Sequence, residues 1–299
     1  MKQRKTFRNR KTKMTPVPFG RLFKASFQRV IEALLSLQTS RGATAKHAPR
    51  QEAVFTFRHF AEMALVLPLL LGYPFTTYAE NTRAESERNG LPLIFSTDFS
   101  TSDISAWEFT DPKAWELVED GGKRVLGLVR ESEYRPPVRS PFGIAWLKDI
   151  YVSDFVLEVD VRQTGREYGH RDVCVMFGNV SPSEMYYAHL ATQADDHANS
   201  IFLVNRAPRV GIAKERTSGT RWDDAYHTVR VVRDTASGTI TVYRDDMTKP
   251  IMVAEDKTFL VGRVGIGSFD DTANFAAVRL WGKRVPPPVK DADGREKGQ

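Results

Sequence analysis

Beyond Leu91 the chain alternates between apolar and polar residues with a period of two and shows no long run of helical period. In Phe155-Val-Leu-Glu-Val-Asp-Val-Arg162, Phe155, Leu157, Val159 and Val161 fall on one face and Glu158, Asp160 and Arg162 on the other. Thr228 to Tyr243 reads as a hairpin turning at Ala236-Ser-Gly238. About fourteen such runs, bounded by Gly, Asp, Asn, Ser and Pro, recur between Leu91 and Trp281. They include Asp172–Phe177, Met185–Leu190, Ser200–Asn205 and Arg209–Ala213. That is too many strands for a small immunoglobulin-type domain, and it predicts an all-β, two-sheet antiparallel jelly-roll sandwich over residues 90–285. The Pro-rich end, 286–299, reads as a disordered tail.

The pattern upstream is different. Met63 to Phe75 is the most apolar stretch of the chain, too short to span a bilayer, which takes about 20 residues. Arg58 and His59 precede it, and Thr77-Tyr-Ala79 follows it with small residues where a signal peptidase would need them. Residues 58–79 therefore read as a signal-peptide-like segment, against the alternative of a buried core helix. Residues 1–57 read as a basic extension, disordered or helical, or translated from a start placed too early, with Val54 or Met63 as other starts. Arg21 to Gln38 carries a helical stripe (Leu22, Phe23, Phe27, Val30, Ile31, Leu34, Leu35) that fits a membrane-surface helix or a region that never folds. This organisation predicts a secreted, periplasmic or cell-envelope protein with no stable membrane span in its mature form.

Charge sharpens the division. The 299 residues carry a formal net charge of +6, yet Met1 to Glu62 alone holds 14 basic and 3 acidic residues. The remaining 29 basic and 34 acidic residues leave the sandwich mildly acidic, which argues against nucleic acid as a partner. The single cysteine, Cys174, excludes an intrachain disulfide and any zinc site built from several cysteines. It lies in an apolar run and reads as a small buried hydrophobe.

Chemistry-bearing residues gather between Gly169 and Trp222. Alternation puts Tyr187 and His189 on one face of Met185–Leu190, with Tyr186, Ala188 and Leu190 on the other. Gly169-His-Arg-Asp172 leads into the cysteine strand, and Asp195-Asp-His-Ala-Asn199 forms a turn before the next. If the neighbouring strands pair, His170, Asp172, Tyr187 and His189 meet as a polar-aromatic cluster on a concave sheet face. Such faces stack sugar rings on aromatic side chains and bond their hydroxyls to His, Asp and Asn. His170, Asp172 and His189 are the candidate catalytic residues, and Tyr187, His197, Asn199 and Trp222 the candidate substrate contacts; each histidine alone also fits a structural role. His227 shares its face with Val229 and Val231 and reads as a core-edge residue. No phosphate-cradling Gly-rich loop and no Gly-x-Ser-x-Gly elbow occurs.

The order of motifs is Phe95-Ser-Thr-Asp-Phe99, Trp107-Glu-Phe, Trp115-Glu-Leu, Ser153 to Arg162, then Trp222 with Tyr226-His-Thr-Val-Arg-Val. It closes on Gly262-Arg-Val-Gly-Ile-Gly-Ser-Phe-Asp-Asp271 and Val278-Arg-Leu-Trp-Gly. From Leu91 to Lys283 this resembles the concanavalin A-like lectin/glucanase superfamily, and within it the bacterial 3-keto-disaccharide hydrolase-type, glycoside-hydrolase-like domains. The resemblance implies an exported protein that binds a glycan or glycoside or acts on it, by 3-keto-glycoside hydrolysis or elimination, or by ordinary glycosidic cleavage. The alternatives are a non-catalytic carbohydrate-binding or adhesion module and a purely structural envelope protein, since one fold hosts many activities. No cofactor is implied; the superfamily's habits allow a structural calcium at Asp195-Asp196 or Asp270-Asp271. Laminarinase-type members carry Glu-x-Asp-x-(x)-Glu on one strand; here Glu158-Val-Asp160 is followed by Gln163, which cannot exchange a proton and lies on the opposite parity. That segment reads as the polar face of an amphipathic strand.

Overall fold

A computed structural model describes residues 86–288 of the protein. The signal-like segment 58–79, the basic extension 1–57 and the tail beyond 288 lie outside the described residues. Among the described residues, seventeen strands and one 3-10 turn (Pro112–Ala114) make up the regular structure. In chain order the strands begin with β1 Glu87–Arg88, β2 Leu91–Thr97, β3 Trp107–Phe109, β4 Trp115–Asp120, β5 Lys123–Leu128 and β6 Gly143–Leu147. Then come β7 Tyr151–Gln163, β8 Asp172–Ser181, β9 Glu184–Ala191, β10 Ser200–Asn205, β11 Val210–Gly211 and β12 Ala213–Arg216. The last five are β13 His227–Arg233, β14 Thr239–Arg244, β15 Met252–Glu255, β16 Arg263–Ser268 and β17 Ala273–Val285.

The strands form two antiparallel sheets, the expected two-layer sandwich. One has ten strands, with β1-β2-β17-β7-β13-β14-β15-β12 in order and β5 and β4 added through β17. The other has seven, in the order β11-β10-β9-β8-β16-β6-β3. The expected hairpin joins β13 to β14, closed by the Asp234 amide donating to the Thr239 carbonyl at 3.0 Å. Gly238 sits there at φ +85, a conformation that side chains disfavour. The apolar run Arg209–Ala213 is divided rather than continuous. β11 ends the seven-stranded sheet, the Ile212 amide bonds to Ile201, and β12 starts at the edge of the other sheet.

The strand patterns explain the layering. Phe155, Leu157, Val159 and Val161 of β7 meet Phe177, Tyr186, Ala188 and Leu190 in the core between the sheets. The outward residues of the two sheets differ. β7 presents Glu158, Asp160 and Arg162, which pair with charges from other strands of its sheet. β9 is buried along its whole length, because the outer face of its sheet carries a second apolar cluster. Ile144, Trp146, Met176, Met185, Tyr187 and Phe202 belong to that cluster, with Val138 and Phe142 from the segment before β6 packed against it. β16 fits between these residues because Gly265 and Gly267 present no side chain to them; a Cβ at Gly267 would lie 1.8 Å from the Gly143 carbonyl oxygen.

Candidate functional site

Antiparallel register brings the chemistry to one end of this outer face. Cys174 of β8 lies opposite His189 of β9, and Met176 opposite Tyr187. On the other side of β9, Ser200 faces His189 and Phe202 faces Tyr187. Asp172 opens β8, two residues before Cys174 and so on the same face. The loop before β8 brings Tyr168 and His170 to this end, the loop between β9 and β10 brings His197, and the segment after β16 brings Phe269, Asp270 and Asp271. Together they border a pocket of about 450 Å³ lined by Arg139, Tyr168, His170, His189, His197, Pro208, Arg209, Phe269 and Asp270.

Asp172 and His189 come together as expected, with 3.2 Å between the Asp172 Oδ2 and His189 Nε2 atoms. The contact is close enough for an ion pair but is not aligned as a hydrogen bond, and both ring nitrogens of His189 are buried without a hydrogen-bond partner. Asp172 is fully buried. Its Oδ1 accepts from Ser268 Oγ at 2.8 Å, and its Oδ2 accepts from the Phe269 amide and from Cys174 Sγ, both at 3.0 Å. Burial pushes the carboxyl upward, but the neighbouring His189 and these hydrogen bonds outweigh it and hold Asp172 below the usual carboxylate value. Burial, and then the charge of Asp172, push the Cys174 thiol well above its usual value, so it is no thiolate nucleophile.

A second acid lies behind the pocket. Asp271 Oδ2 accepts from the Tyr168 hydroxyl at 2.8 Å and from the Asp172 amide at 3.0 Å. Burial and the charge of Asp172 nevertheless raise its carboxyl to about 6. The same two causes raise Asp270, which lines the pocket itself. Burial and the bond to Asp271 raise the Tyr168 phenol.

His170 does not join Asp172; its Nε2 pairs with Asp195 Oδ2 at 2.5 Å. His197 is exposed at the rim, where its amide donates to Asp195 Oδ1 and its carbonyl accepts from Arg209. Tyr187 is buried beneath the pocket, stacked on Phe202 with ring centroids 5.2 Å apart, and its hydroxyl accepts from Arg209 at 3.1 Å. Asn199 and Trp222 are framework rather than lining. Asn199 is sealed, donating to the Thr217 carbonyl and accepting from Thr220. Trp222 packs in the core between the sheets and donates from Nε1 to the Leu190 carbonyl at 3.0 Å. Each has the hydrogen-bonding partner that a buried polar atom requires, which explains its position without a ligand.

The pocket also contains residues that the sequence did not single out: Arg139, Arg209, Tyr168 and Phe269. The guanidiniums of Arg139 and Arg209 lie 5.0 and 4.6 Å from the centroid of the Phe269 ring. No spacing rule would have found them, because they arrive from separate loops.

Among the described residues, two groups bring possible metal-ligand atoms within 4.8 Å of one another: Asp172 with Cys174 and His189, and Asp172 with Asp270 and Asp271. Calcium takes six to eight oxygens, whereas the second group offers three carboxylates, of which Asp172 and Asp271 already accept hydrogen bonds from the protein. This donor set does not fit calcium. Of the other acidic pair considered, Asp195 is occupied by His170 and by the turn at His197.

No family model matches the chain, and no curated protein matches it. Similar solved structures include the carbohydrate-binding module CBM66 from Bacillus subtilis, at 17% identity over 59% of this chain and 95% of that one, with a TM-score of 0.42. The GH43 protein BlXynB from Bacillus licheniformis is similar at 15% identity over 63% of this chain, with a TM-score of 0.46, and the match spans 39% of its length. The exoplasmic/lumenal domain of VIP36, in a Ca2+/Man3GlcNAc-bound form, is similar at 14% identity over 67% of this chain and 93% of that one, with a TM-score of 0.44. These neighbours are concanavalin A-like lectin and glycosyl-hydrolase-type β-sandwich domains.

Proposed function

We propose that the pocket on the outer face of the seven-stranded sheet binds a saccharide. The observation that carries this reading is the make-up of its wall: the Tyr168 ring and the edge of the largely buried Phe269, with donors on Arg139, Arg209 and His170 and the Asp270 carboxyl around them. A sugar has apolar C–H faces and a rim of hydroxyls, and an aromatic wall edged by a few fixed polar groups complements both. The mature protein works outside the cytoplasm, on the strength of the signal-like segment 58–79.

Binding without turnover is the reading the geometry favours. A glycosidase of the two-carboxylate type needs two acids that reach the scissile bond. Asp172 is sealed, and its oxygens already accept from Ser268 and Phe269. A second reading has one specific observation in its favour, the 3.2 Å contact that sets Asp172 behind a pocket-lining histidine. In that reading His189 moves a proton during hydrolysis or elimination of a 3-keto glycoside.

A glycan array run beside turnover assays on 3-keto glycosides tests both. We expect wild type to retain a defined set of glycans, Phe269→Ala to lose them, and neither protein to turn over the glycosides. Turnover by wild type that disappears in His189→Ala would replace the binding reading with the catalytic one. An array with no retained glycan and no turnover would remove both.

A further inference from the structure

We propose that the saccharide bound in this pocket carries an anionic substituent, a carboxylate or a sulfate, read by Arg139 and Arg209. The proposal rests on the saccharide reading above and names the class of sugar.

Two guanidiniums share one aromatic ring at the pocket, 5.0 and 4.6 Å from the Phe269 centroid. Both cations line the same pocket, and their charges together favour an anion there. No carboxylate of the described residues lies within ion-pair distance of either guanidinium. Arg209 donates to two neutral acceptors, the Tyr187 hydroxyl at 3.1 Å and the His197 carbonyl at 3.0 Å. These bonds orient its planar fork but leave its charge uncompensated. Elsewhere on the sandwich, arginines meet carboxylates directly: Arg162 with Asp120 at 2.7 Å, Arg206 with Glu184 at 2.8 Å, and Arg263 with Glu108 at 2.8 Å. Arg216 and Arg233 bond only to carbonyls, as Arg209 does in part, but among the described arginines only Arg139 and Arg209 line this pocket.

Asp270 is the acid that would be expected to close the pair. It is turned instead toward the Tyr168 hydroxyl, 3.4 Å away, beside Asp172 and Asp271. Partial burial and the charge of Asp172 raise its carboxyl above the usual value. Turned this way, it makes no ion pair with either guanidinium and leaves a polar contact for a sugar hydroxyl. Arginine suits the assigned role because its planar fork matches the oxygens of a carboxylate or sulfate group.

The test is calorimetric titration of the intact chain with three matched oligosaccharides: oligogalacturonate, its neutral oligogalactose counterpart, and a sulfated galactose oligomer. Wild type should bind at least one acidic series tenfold or more tightly than the neutral one, and the difference should shrink between 50 and 300 mM salt. The acidic series that binds more tightly identifies the substituent. Arg139→Met should abolish the preference, and Arg139→Lys should restore part of it. Among the described residues Arg139 makes no side-chain hydrogen bond and its contact is with the Phe269 ring, so its removal should move the melting temperature little, and a melting curve separates lost binding from unfolding. Equal affinity for neutral and acidic oligomers would overturn this inference and leave the saccharide reading standing. A preference that survives both Arg139→Met and Arg209→Met would also overturn it. Failure to bind any oligosaccharide, here and on the array, would overturn the underlying reading as well.

Discussion

The outer face of the ten-stranded sheet and the pocket end of the seven-stranded sheet treat charge in opposite ways. On the ten-stranded sheet, Glu158 sits among three arginines. Its Oε1 meets Arg88 and, at 2.5 Å, Arg230, while its Oε2 lies 3.4 Å from Arg279. Asp160 beside it accepts from Arg279 at 2.9 Å and from Thr228 Oγ1 at 2.7 Å. On the seven-stranded sheet, two arginines lie over an aromatic ring without a carboxylate, and a buried histidine has no hydrogen-bond partner for either nitrogen. On the first face the acids are met by arginines; on the second, the two pocket arginines have no carboxylate partner among the described residues. Glu158-Val-Asp160, the stretch closest in form to a glycosidase motif, belongs to the ion-paired face. The acidic spacing that looks most catalytic in the sequence is therefore part of an ionic ladder, and the open site is built from residues with no motif.

The largest expected effect tests the closed face. Glu158 is 4% exposed, and Glu158→Ala leaves Arg88, Arg230 and Arg279 facing one another with one acid fewer. Breaking a buried ion pair from one side costs about 3–5 kcal/mol. Urea denaturation should show a loss of that order, while glycan binding to the surviving folded protein stays at the wild-type level. If binding were lost and stability kept, the two faces would have been assigned the wrong way round.

A smaller effect tests the buried acids behind the pocket. With its carboxyl raised to about 6 in the folded protein against an ordinary 3.8, Asp271 holds its proton more tightly folded than unfolded. Its contribution to stability is therefore fully present below about 3.8 and is lost as pH rises through about 6. Above that range the charged form beside Asp172 is a net liability. Asp271→Asn keeps an acceptor for the Tyr168 hydroxyl and the Asp172 amide and removes the charge. Denaturation at pH 8 should find the variant more stable by about 2 kcal/mol, with no gain at pH 4. A gain of equal size at both pH values would mean that the charge of Asp271 is not the cause.

Strand alternation made the sandwich legible. The faces of β7 and β9 follow from alternation alone, and so does the burial of Gln163 on the parity opposite Glu158. The site was legible only where strand register decides it. Asp172, Tyr187 and His189 come together because β8 and β9 pair and share a face. His170 could not be paired correctly, because its partner, Asp195, lies across two loops whose approach no local pattern encodes. Arg139 and Arg209 were missed for the same reason. The division of Arg209–Ala213 between two sheets was illegible too, since an apolar run does not mark where the chain changes layer.

The smallest effect separates framework from lining within the set of residues that the sequence offered as sugar contacts. Trp222 has the composition of a stacking platform and lies near His227, with their ring centroids 5.9 Å apart. Yet it is 7% exposed, packs in the core between the sheets, and bonds through Nε1 to the Leu190 carbonyl. Trp222→Phe removes that bond while keeping an aromatic ring at the position. A hydrogen bond of this kind contributes about 1 kcal/mol, so the midpoint of urea denaturation should fall by a corresponding amount. The dissociation constant for any retained glycan should not move, because no atom of the indole borders the pocket. Phe269→Ala should behave in the opposite sense, with the larger change in affinity, because its ring is the surface on which Arg139 and Arg209 rest. If Trp222→Phe weakened binding more than it weakened folding, the sugar would lie nearer the β13 end of the sandwich, and the contrast between an open face and a closed one would have to be redrawn around Trp222, His227 and Arg244.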